Sequence, residues 1–379
     1  MKAGAAALAA LLLIGAAPID PAATFDRVWE TVERRYWNVD RLGERWEAAR
    51  IRWRPQALAA RDDAALYRAL DGLLREVGDS HVFARDPTEV RFQAPDRDEA
   101  AEDGAFGFSS DAAPGGWTVF AVDPGGPAAR AGVQIGWRLV SVDGRPVDQH
   151  WHARIGQRAT LGFLDDGGRP RSLTLTAERL PDPAPRRSAL LADGVIHLTL
   201  DTFERGADRW IRDEIEQAQP RAVVLDLREN YGGEAIAIAR VAGAFFAEKR
   251  TLLVRQGRGK ATDVPILGYG SRSWTGPLAV LVGPRSASGA ELLAALVAES
   301  GRGATLGERT SGAVTGATLY DLPGGGQLSV AVFDIRTAGG TRLEGRGFTP
   351  AQIVRPTIAQ LRAGNDPVLA AALASLRRS

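Results

Sequence analysis

The amino-acid sequence has no cysteine in 379 residues, which excludes disulfide bonds and lipid attachment through an N-terminal cysteine. Lysine is nearly absent as well, since only three of the 47 basic residues are lysines. They are Lys2, Lys249 and Lys260. Histidine is also scarce, and the four histidines are His81, His150, His152 and His197. A reaction that needs a proton acceptor near neutral pH therefore has few side chains to use.

The sequence also lacks an excess of charge of either sign. The formal net charge is +1, and basic and acidic residues are interspersed, which argues against a nucleic-acid partner. With 45% hydrophobic and 25% charged residues, the composition is that of an ordinary globular protein with an ample core. The length exceeds that of one small domain and predicts two or three domains.

The N-terminus combines one cation, Lys2, with a short run of Ala, Leu and Ile over residues 5–17. This pattern predicts a secretory signal peptide over residues 1–23, with cleavage between about 16 and 23. The run is short for a bilayer, so we expect no integral membrane span after signal removal. A buried N-terminal helix and an uncleaved anchor are the alternatives. The signal predicts a periplasmic or secreted protein.

Residues 24–95 are predicted to form a helical N-terminal part. Apolar residues recur at helical spacing from Phe25 to Tyr36, and a second helix is predicted over residues 62–76. Four of the nine tryptophans lie between positions 29 and 53, a spacing typical of a buried core, with a ligand cage as the alternative. The acidic stretch over residues 86–103 is predicted to be a linker.

Residues 104–180 are punctuated by glycine and predict a β-rich module, with strands over 117–122 and 137–142. The string Pro127-Ala-Ala-Arg-Ala-Gly-Val133, followed by Val140-Ser-Val-Asp-Gly144, resembles a PDZ module. Such a module binds a C-terminal carboxylate in a loop and adds a peptide strand to its sheet edge. The resemblance implies a peptide-binding loop at Phe106, Gly107 and Phe108. The alternative is that the glycine of this loop only permits a bend.

Strand-like and helix-like segments alternate over residues 187–376, which predicts an α/β core with parallel pairing. A continuous apolar run over 221–227 is typical of a strand buried on both faces, and residues 278–282 are predicted to form a further strand. The predicted fold class is therefore α/β, with an N-terminal helical segment, a PDZ-like β-rich insert and a mixed-sheet core.

The segment Ser286-Ala-Ser288-Gly-Ala-Glu291 lies between an apolar strand and an apolar helix. A serine in this position has its hydroxyl at the positive end of the helix, where a developing oxyanion is stabilised. Ser288 and Glu291 also fit a capping box, so a structural helix cap is the alternative.

A glycine turn follows the first of the apolar strands, in the segment Asp226-Leu-Arg-Glu-Asn-Tyr-Gly-Gly233. Gly232 and Gly233 have no side chain to block a substrate carbonyl. Together with Gly289, their N–H groups are predicted to form an oxyanion hole. The alternative is that the two glycines only serve a turn that needs positive φ.

These motifs together make the chain resemble the C-terminal processing (tail-specific) serine peptidases and their relatives with tricorn-type cores. Further matching segments are Gly78-Asp-Ser-His81, Gly307-Glu-Arg-Thr-Ser-Gly312 and Glu344-Gly-Arg-Gly-Phe-Thr-Pro350. The resemblance covers nearly the whole chain after the signal and implies that Ser288 is the nucleophile. In the processing branch a general-base lysine follows the second glycine, where this chain has Ala313.

The chain also resembles the tricorn-type branch, in which the nucleophilic serine is paired with a histidine. That histidine follows another serine and is supported by a distant glutamate. This chain has Ser80, His81 and Glu344 at the matching places. The resemblance therefore implies that His81 is the general base, because a neutral imidazole can take the serine proton near pH 7. Ser80 and Glu344 would hold the ring in the correct tautomer, with Asp79 as the competing partner.

The remaining histidines carry weaker signals. His150 and His152 are spaced like a pair of metal ligands, but no other ligand pattern accompanies them, and we expect no metal or cofactor. His197 alternates with apolar residues on a predicted strand and is expected to face away from the core.

The sequence thus predicts an exported serine endopeptidase with a Ser-His mechanism, whose substrates are proteins or peptides with accessible C-termini. One alternative is a non-catalytic hydrophobic-ligand or peptide-binding protein that retains the fold, which the missing lysine motivates. The other is hydrolysis of esters by the same serine.

Overall fold

The computed structural model describes residues 20–93, 103–147, 153–181 and 184–377. The chain divides into two units, of which the first comprises Met1–Gln93 and Ala317–Ala331, and the second Ala94–Gly316 and Val332–Ser379. Most of the predicted signal peptide, together with His150 and His152, lies outside the described residues.

The helices of the described residues are α1 (Pro21–Arg35), α2 (Val39–Leu58), α3 (Asp63–Arg75), α4 (Pro87–Gln93), α5 (Pro127–Arg130), α6 (Ala207–Ala218), α7 (Ala235–Gly243), α8 (Gly289–Glu299), α9 (Ile358–Arg362) and α10 (Pro367–Leu376). The strands are β1 (Phe83–Arg85), β2 (Asp103–Gly104), β3 (Phe108–Ala113), β4 (Gly116–Val122), β5 (Arg138–Val142), β6 (Arg145–Pro146), β7 (Ala153–Arg154), β8 (Arg158–Leu164), β9 (Pro170–Thr176), β10 (Arg186–Leu190), β11 (Val195–Leu200), β12 (Ala222–Asp226), β13 (Arg250–Gln256), β14 (Thr262–Ile266), β15 (Leu278–Val282), β16 (Ala304–Gly307), β17 (Thr315–Asp321), β18 (Gln327–Thr337) and β19 (Gln352–Ile353).

The first unit is built around helices α1 to α3, and β1 pairs antiparallel with the first residues of β18. The side chain of Asp20 caps α1 by accepting a hydrogen bond from the Ala23 N–H, and the apolar face of this helix is buried. Trp29 and Trp46 are stacked in the core, with ring centroids 6.3 Å apart. The prediction that the tryptophans of this segment belong to the core is confirmed for these two.

The stretch predicted to be a linker contains helix α4. The carboxylate of Asp86 accepts hydrogen bonds from the N–H groups of Thr88 and Glu89, and Pro87 is the first residue of the helix. An aspartate cap followed by proline is a strong start signal for a helix. The linker prediction is therefore wrong for residues 87–93.

The second unit contains the predicted β-rich module, a sheet with the strand order β3-β4-β5-β8-β9 to which β6 is added beside β5. Its apolar face is buried around Val119, Leu161 and Phe163. In the described sheet β3 has one neighbour, β4, so it is an edge strand. Edge strands present backbone N–H and C=O groups to which another strand can be added.

The same unit contains a mixed sheet with the order β10-β11-β12-β15-β16-β19. Strands β11, β12, β15, β16 and β19 pair in parallel, and β10 pairs antiparallel with β11. Every residue of β12 is buried, as its continuous apolar run predicted, and every residue of β15 is buried as well. Helices α6, α7 and α8 contribute to the core on one face and α10 to the core on the other. Ligands of such sheets bind beyond the carboxyl ends of the strands, which in this sheet is where the segments after β12, β15 and β16 lie.

The predicted α/β class is confirmed, with its helical N-terminal segment, its β-rich module and its mixed-sheet core. Among the described residues, no helix is both long and apolar enough to cross a membrane.

Candidate active site

Ser288 lies between β15 and α8 in a backbone conformation that is rare for a residue with a side chain. Its φ is 52° and its ψ is −112°. Strained backbone of this kind occurs at sharp strand-to-helix turns that present a nucleophile. The other serine of the pair is structural, because Ser286 is fully buried, donates to the Leu227 C=O (2.7 Å) and accepts from the Gly283 N–H (2.9 Å).

The glycine turn after β12 lies directly against Ser288. A Cβ added to Gly232 would stand 2.8 Å from the Ser288 Cβ, and one added to Gly233 would stand 2.1 Å from the Phe203 carbonyl oxygen. Both glycines also have positive φ, 107° and 143°. No other residue type fits these two positions, so the turn can approach the nucleophile only as glycine.

The N–H groups of the turn are not equivalent. The Gly232 N–H donates to the Asn230 side-chain oxygen at 2.9 Å, so this donor is already engaged. Within the described ranges, the N–H groups of Gly233 and Gly289 have no hydrogen-bond acceptor. These two are the donors of the predicted oxyanion hole that remain available for a ligand.

Asn230 joins the turn to the segment before the nucleophile. Its side chain is fully buried and donates to the Leu200 C=O at 2.8 Å, and its own C=O accepts the Ala287 N–H at 2.9 Å. The residue thus fixes the turn on one side and the residue before Ser288 on the other. Its buried amide thus uses both its nitrogen, as a donor, and its oxygen, as an acceptor, in this role.

The carboxylate of Glu291 organises the backbone around the nucleophile. It is fully buried and accepts the N–H groups of Ser288 (3.0 Å), Gly312 (2.9 Å) and Ala313 (3.1 Å). It also accepts the hydroxyls of Thr310 and Ser311. Burial raises the pKa of Glu291, and these hydrogen bonds act in the opposite direction. The hydrogen bond from the Ser288 N–H to Glu291 is the glutamate part of the predicted capping box. The same carboxylate also binds residues 310–313, which lie outside the helix.

Glu344 lies beside the position where the processing branch has lysine. It is 7% exposed, and its carboxylate accepts the Val314 N–H at 2.8 Å, directly after Ala313. Lys249 and Lys260 are both exposed.

His81 lies in the first unit, between α3 and β1. Its Nδ1 is 2.9 Å from the Ser80 hydroxyl, its N–H donates to Asp79, and its C=O accepts the Ser329 hydroxyl. The phenol of Tyr36 donates to the same Asp79 at 3.2 Å. Burial, together with the nearby Asp79 charge, raises the pKa of Tyr36 to about 12, so the phenol keeps its proton. Both Ser80 and Asp79 thus contact His81.

A charged network lies at the carboxyl end of β12. His197 is 3.0 Å from the Asp226 carboxylate, and Arg228 binds both Asp226 and Asp366. Burial alone would raise the pKa of Asp226, but hydrogen bonds from His197 and Arg228 hold it well below its usual range. His197 was expected to face away from the core, and its ring lies against this carboxylate with 17% of the side chain exposed.

In the β-rich module, the predicted peptide-binding loop uses its aromatic side chains for packing. Phe106 is 6% exposed in the module core, and the Phe108 ring contacts Phe163 edge to face at 5.7 Å. Gly107 has φ 77°, and a Cβ there would stand 3.1 Å from the Gly126 Cα. Only the backbone of this loop is therefore suited to hold a carboxylate.

Comparison with known proteins gives a consistent assignment. Residues 194–354 match peptidase family S41, and residues 118–154 match a PDZ domain. The chloroplastic carboxyl-terminal-processing peptidase 2 of Arabidopsis thaliana is 27% identical over 365 residues, which span 86% of this chain and 67% of that relative. The carboxyl-terminal-processing protease of Picosynechococcus is 23% identical and spans 93% of this chain and 90% of the relative.

Two solved structures show the same fold. The photosystem II D1 C-terminal processing protease superposes with a TM-score of 0.67 at 23% identity, covering 89% of this chain and 94% of that one. The tricorn protease superposes with a TM-score of 0.55 at 16% identity, covering 93% of this chain and 36% of that one. The chain therefore combines a peptidase domain of family S41 with a PDZ domain, and its homologues are carboxyl-terminal-processing peptidases.

Proposed function

We propose that this protein is an exported serine endopeptidase in which Ser288 is the nucleophile. The observation that carries the proposal is the position of Ser288, at the start of α8 with positive φ and in contact with the glycine turn. The hydroxyl thus sits where a helix N-terminus and two available N–H groups can stabilise negative charge. The match to peptidase family S41 supports the same reading.

In this mechanism the Ser288 hydroxyl attacks the scissile carbonyl, and its proton passes to His81. The N–H groups of Gly233 and Gly289 donate to the tetrahedral oxyanion. Collapse of the intermediate gives an acyl-enzyme, and the protonated imidazole returns its proton to the leaving amine. Water then attacks the ester, with His81 again as base, and releases the new C-terminus. No cofactor enters these steps.

His81 is proposed as the base because the lysine that has this role in the processing branch is replaced here by Ala313. Lys249 and Lys260 are both exposed. The Ser80 hydroxyl at Nδ1 would fix the tautomer that leaves Nε2 as the proton acceptor. Glu344 is the proposed acidic support, as the resemblance to the tricorn-type branch implies, and its buried carboxylate also accepts the Val314 N–H.

We further propose that the PDZ module captures the substrate and that the protein is exported. The β3 edge and the Gly107 loop would hold the C-terminus of a protein or peptide by strand addition and carboxylate capture. The N-terminal segment motivates export, and the homologues include chloroplast and bacterial carboxyl-terminal-processing enzymes.

Active-site labelling tests the proposal. We expect a fluorophosphonate probe to label the wild type and Ser300→Ala, a serine at the other end of α8, but not Ser288→Ala. Loss of the base in His81→Ala should slow labelling by about 10²–10⁴-fold, the usual contribution of a general base. Glu344→Gln should cause a smaller loss.

A peptidyl chloromethyl ketone tests the pairing directly, because it bonds to a catalytic serine and alkylates the histidine that acts with it. Mass spectrometry should find the inhibitor on His81 of the wild type and much less of it on His81 of Ser288→Ala, because the serine adds reversibly to the ketone and holds the reagent for alkylation of the histidine. A folded wild type that resists both reagents would instead support the non-catalytic binding protein. Comparison of matched peptide and ester substrates decides between peptidase and esterase.

A further inference from the structure

Arg285 is the centre of a group of contacts three residues before the nucleophile. Its guanidinium donates to Glu229 through Nε (2.6 Å) and also through Nη2, and to Asp111 through Nη1 (2.9 Å). The same group lies over the ring of Phe120, 3.6 Å from the centroid. Asp111 and Phe120 belong to β3 and β4 of the PDZ module, whereas Glu229 belongs to the turn after β12.

These contacts connect three segments of the second unit. Glu229 directly precedes Asn230, which already accepts the Ala287 N–H. The pair of Glu229 and Arg285 is thus a second connection between the oxyanion turn and the nucleophile segment. The bidentate geometry of a guanidinium with a carboxylate adds directional precision to such a connection.

The charges around Arg285 favour one fixed position of its guanidinium group. Burial alone would lower the pKa of Arg285, but the carboxylates of Glu229 and Asp111 raise it above its usual value. Two carboxylates share one cation, and its side chain is one-third exposed. With Asp111 removed, Arg285 keeps Glu229 and the Phe120 ring as partners but loses its charged hydrogen bond to the module.

We propose that Asp111 of the PDZ module is a positioning residue for the peptidase reaction: it holds Arg285, which through Glu229 holds the oxyanion turn against the nucleophile segment. The inference rests on the proposed function. It makes the PDZ module part of the scaffold of the active centre, in addition to any role in substrate capture. Because Asp111 acts through Arg285, its loss should affect the chemical step more than substrate binding.

A second ion pair between the PDZ module and the core provides a matched control. Arg362 of α9 binds Asp166, with Nη1–Oδ2 and Nη2–Oδ1 distances of 2.5 and 2.6 Å, and also donates to the Ile135 C=O. Asp166→Ala therefore removes one module carboxylate from one core arginine, as Asp111→Ala does. The difference is that Arg362 has no place in the segments around Ser288.

The experiment compares Asp111→Ala, Asp111→Glu and Asp166→Ala. With fluorescein-labelled casein as substrate, we expect Asp111→Ala to lower kcat about 10-fold or more with little change in KM, since small misplacements of catalytic groups are costly. Asp111→Glu should recover part of the rate. Asp166→Ala should retain the wild-type kcat.

Hydrogen exchange supplies a readout that does not need activity. Exchange over residues 229–233 and 284–288 should increase in Asp111→Ala and remain unchanged in Asp166→Ala. If the two variants behave alike in kcat and in exchange, the inference is overturned. A wild type that neither cleaves casein nor reacts with the fluorophosphonate refutes the proposed function, while the exchange comparison still decides the role of Asp111.

Discussion

Glu291 shows how much of this site depends on one buried side chain. Its carboxylate receives backbone N–H groups and hydroxyls from two segments, the nucleophile and residues 310–313. An amide in its place keeps the shape but has one acceptor oxygen and an NH2 group that faces donors. The buried donors then lose partners, which costs about 1–3 kcal/mol for each unsatisfied group.

We therefore expect Glu291→Gln to lower the free energy of unfolding by about 1–3 kcal/mol and to slow fluorophosphonate labelling of Ser288 by about 10-fold or more. Urea unfolding and labelling kinetics measure the two effects. Glu299→Gln is the control, because Glu299 also accepts hydrogen bonds, from Thr337 and Gly339, but lies about 12 Å further along α8. Equal slowing in both variants would contradict the assignment.

At the scale of elements, the carboxyl end of β12 depends on the ionised form of Asp226. Its pKa is held below the usual range in the folded state, so the folded protein binds fewer protons here than the unfolded chain does. The stabilisation is therefore fully present above the unfolded pKa of about 3.9 and is lost as pH falls below that value.

Asp226→Asn should accordingly destabilise the protein by about 1–3 kcal/mol at pH 7, because a neutral amide satisfies the buried donors of His197 and Arg228 less well, while Arg228 keeps its pair with Asp366. The difference from wild type should shrink at pH 3. Guanidinium unfolding at the two pH values measures it. Asp201→Asn, which breaks the more exposed pair with Arg187, should cost less at pH 7. A penalty for Asp226→Asn that does not depend on pH would show that the charge is unimportant.

The elements that the sequence predicted are those with a strong local signal. Strand β15 is apolar throughout, β12 is apolar up to Asp226, and α8 is apolar between Glu291 and Glu299, so these elements were evident from the sequence. Helix α2 lies in the part predicted to be helical but was not predicted as a separate element, because its charged residues outnumber its buried ones and Gly43 interrupts it. Strand β13 was missed because arginines begin and interrupt its apolar run. In both cases tertiary packing, and not local preference, decides the structure.

The candidate site was predictable only in part, for the same reason. Ser288 and the glycine turn are visible as motifs, whereas the use of the Gly232 N–H by Asn230 depends on a side-chain orientation. The contacts of Arg285 with Asp111 and Phe120 join residues more than 160 positions apart. No local pattern in a single sequence records such a contact.

At the scale of the whole molecule, the PDZ module is proposed to capture the substrate and the peptidase core to cleave it. The Gly107 loop is tightly packed around its phenylalanine rings, and β3 is an edge strand. A peptide added to β3 would place its terminal carboxylate at the backbone N–H groups of the loop. Capture would then depend on the free carboxylate and only weakly on the sequence far from it.

A pair of peptides tests capture by the PDZ module in Ser288→Ala, which is expected to bind the peptides without cleaving them. A ten-residue peptide with an apolar C-terminus should bind at least 10-fold more tightly with a free carboxylate than as its amide, since a hydrogen bond to a charged group contributes about 1.5–3 kcal/mol. Fluorescence anisotropy measures both affinities, and an amidated peptide with one added internal aspartate controls for net charge. Exchange protection should appear over residues 104–113. Equal affinity for acid and amide would assign substrate capture to a surface other than this loop.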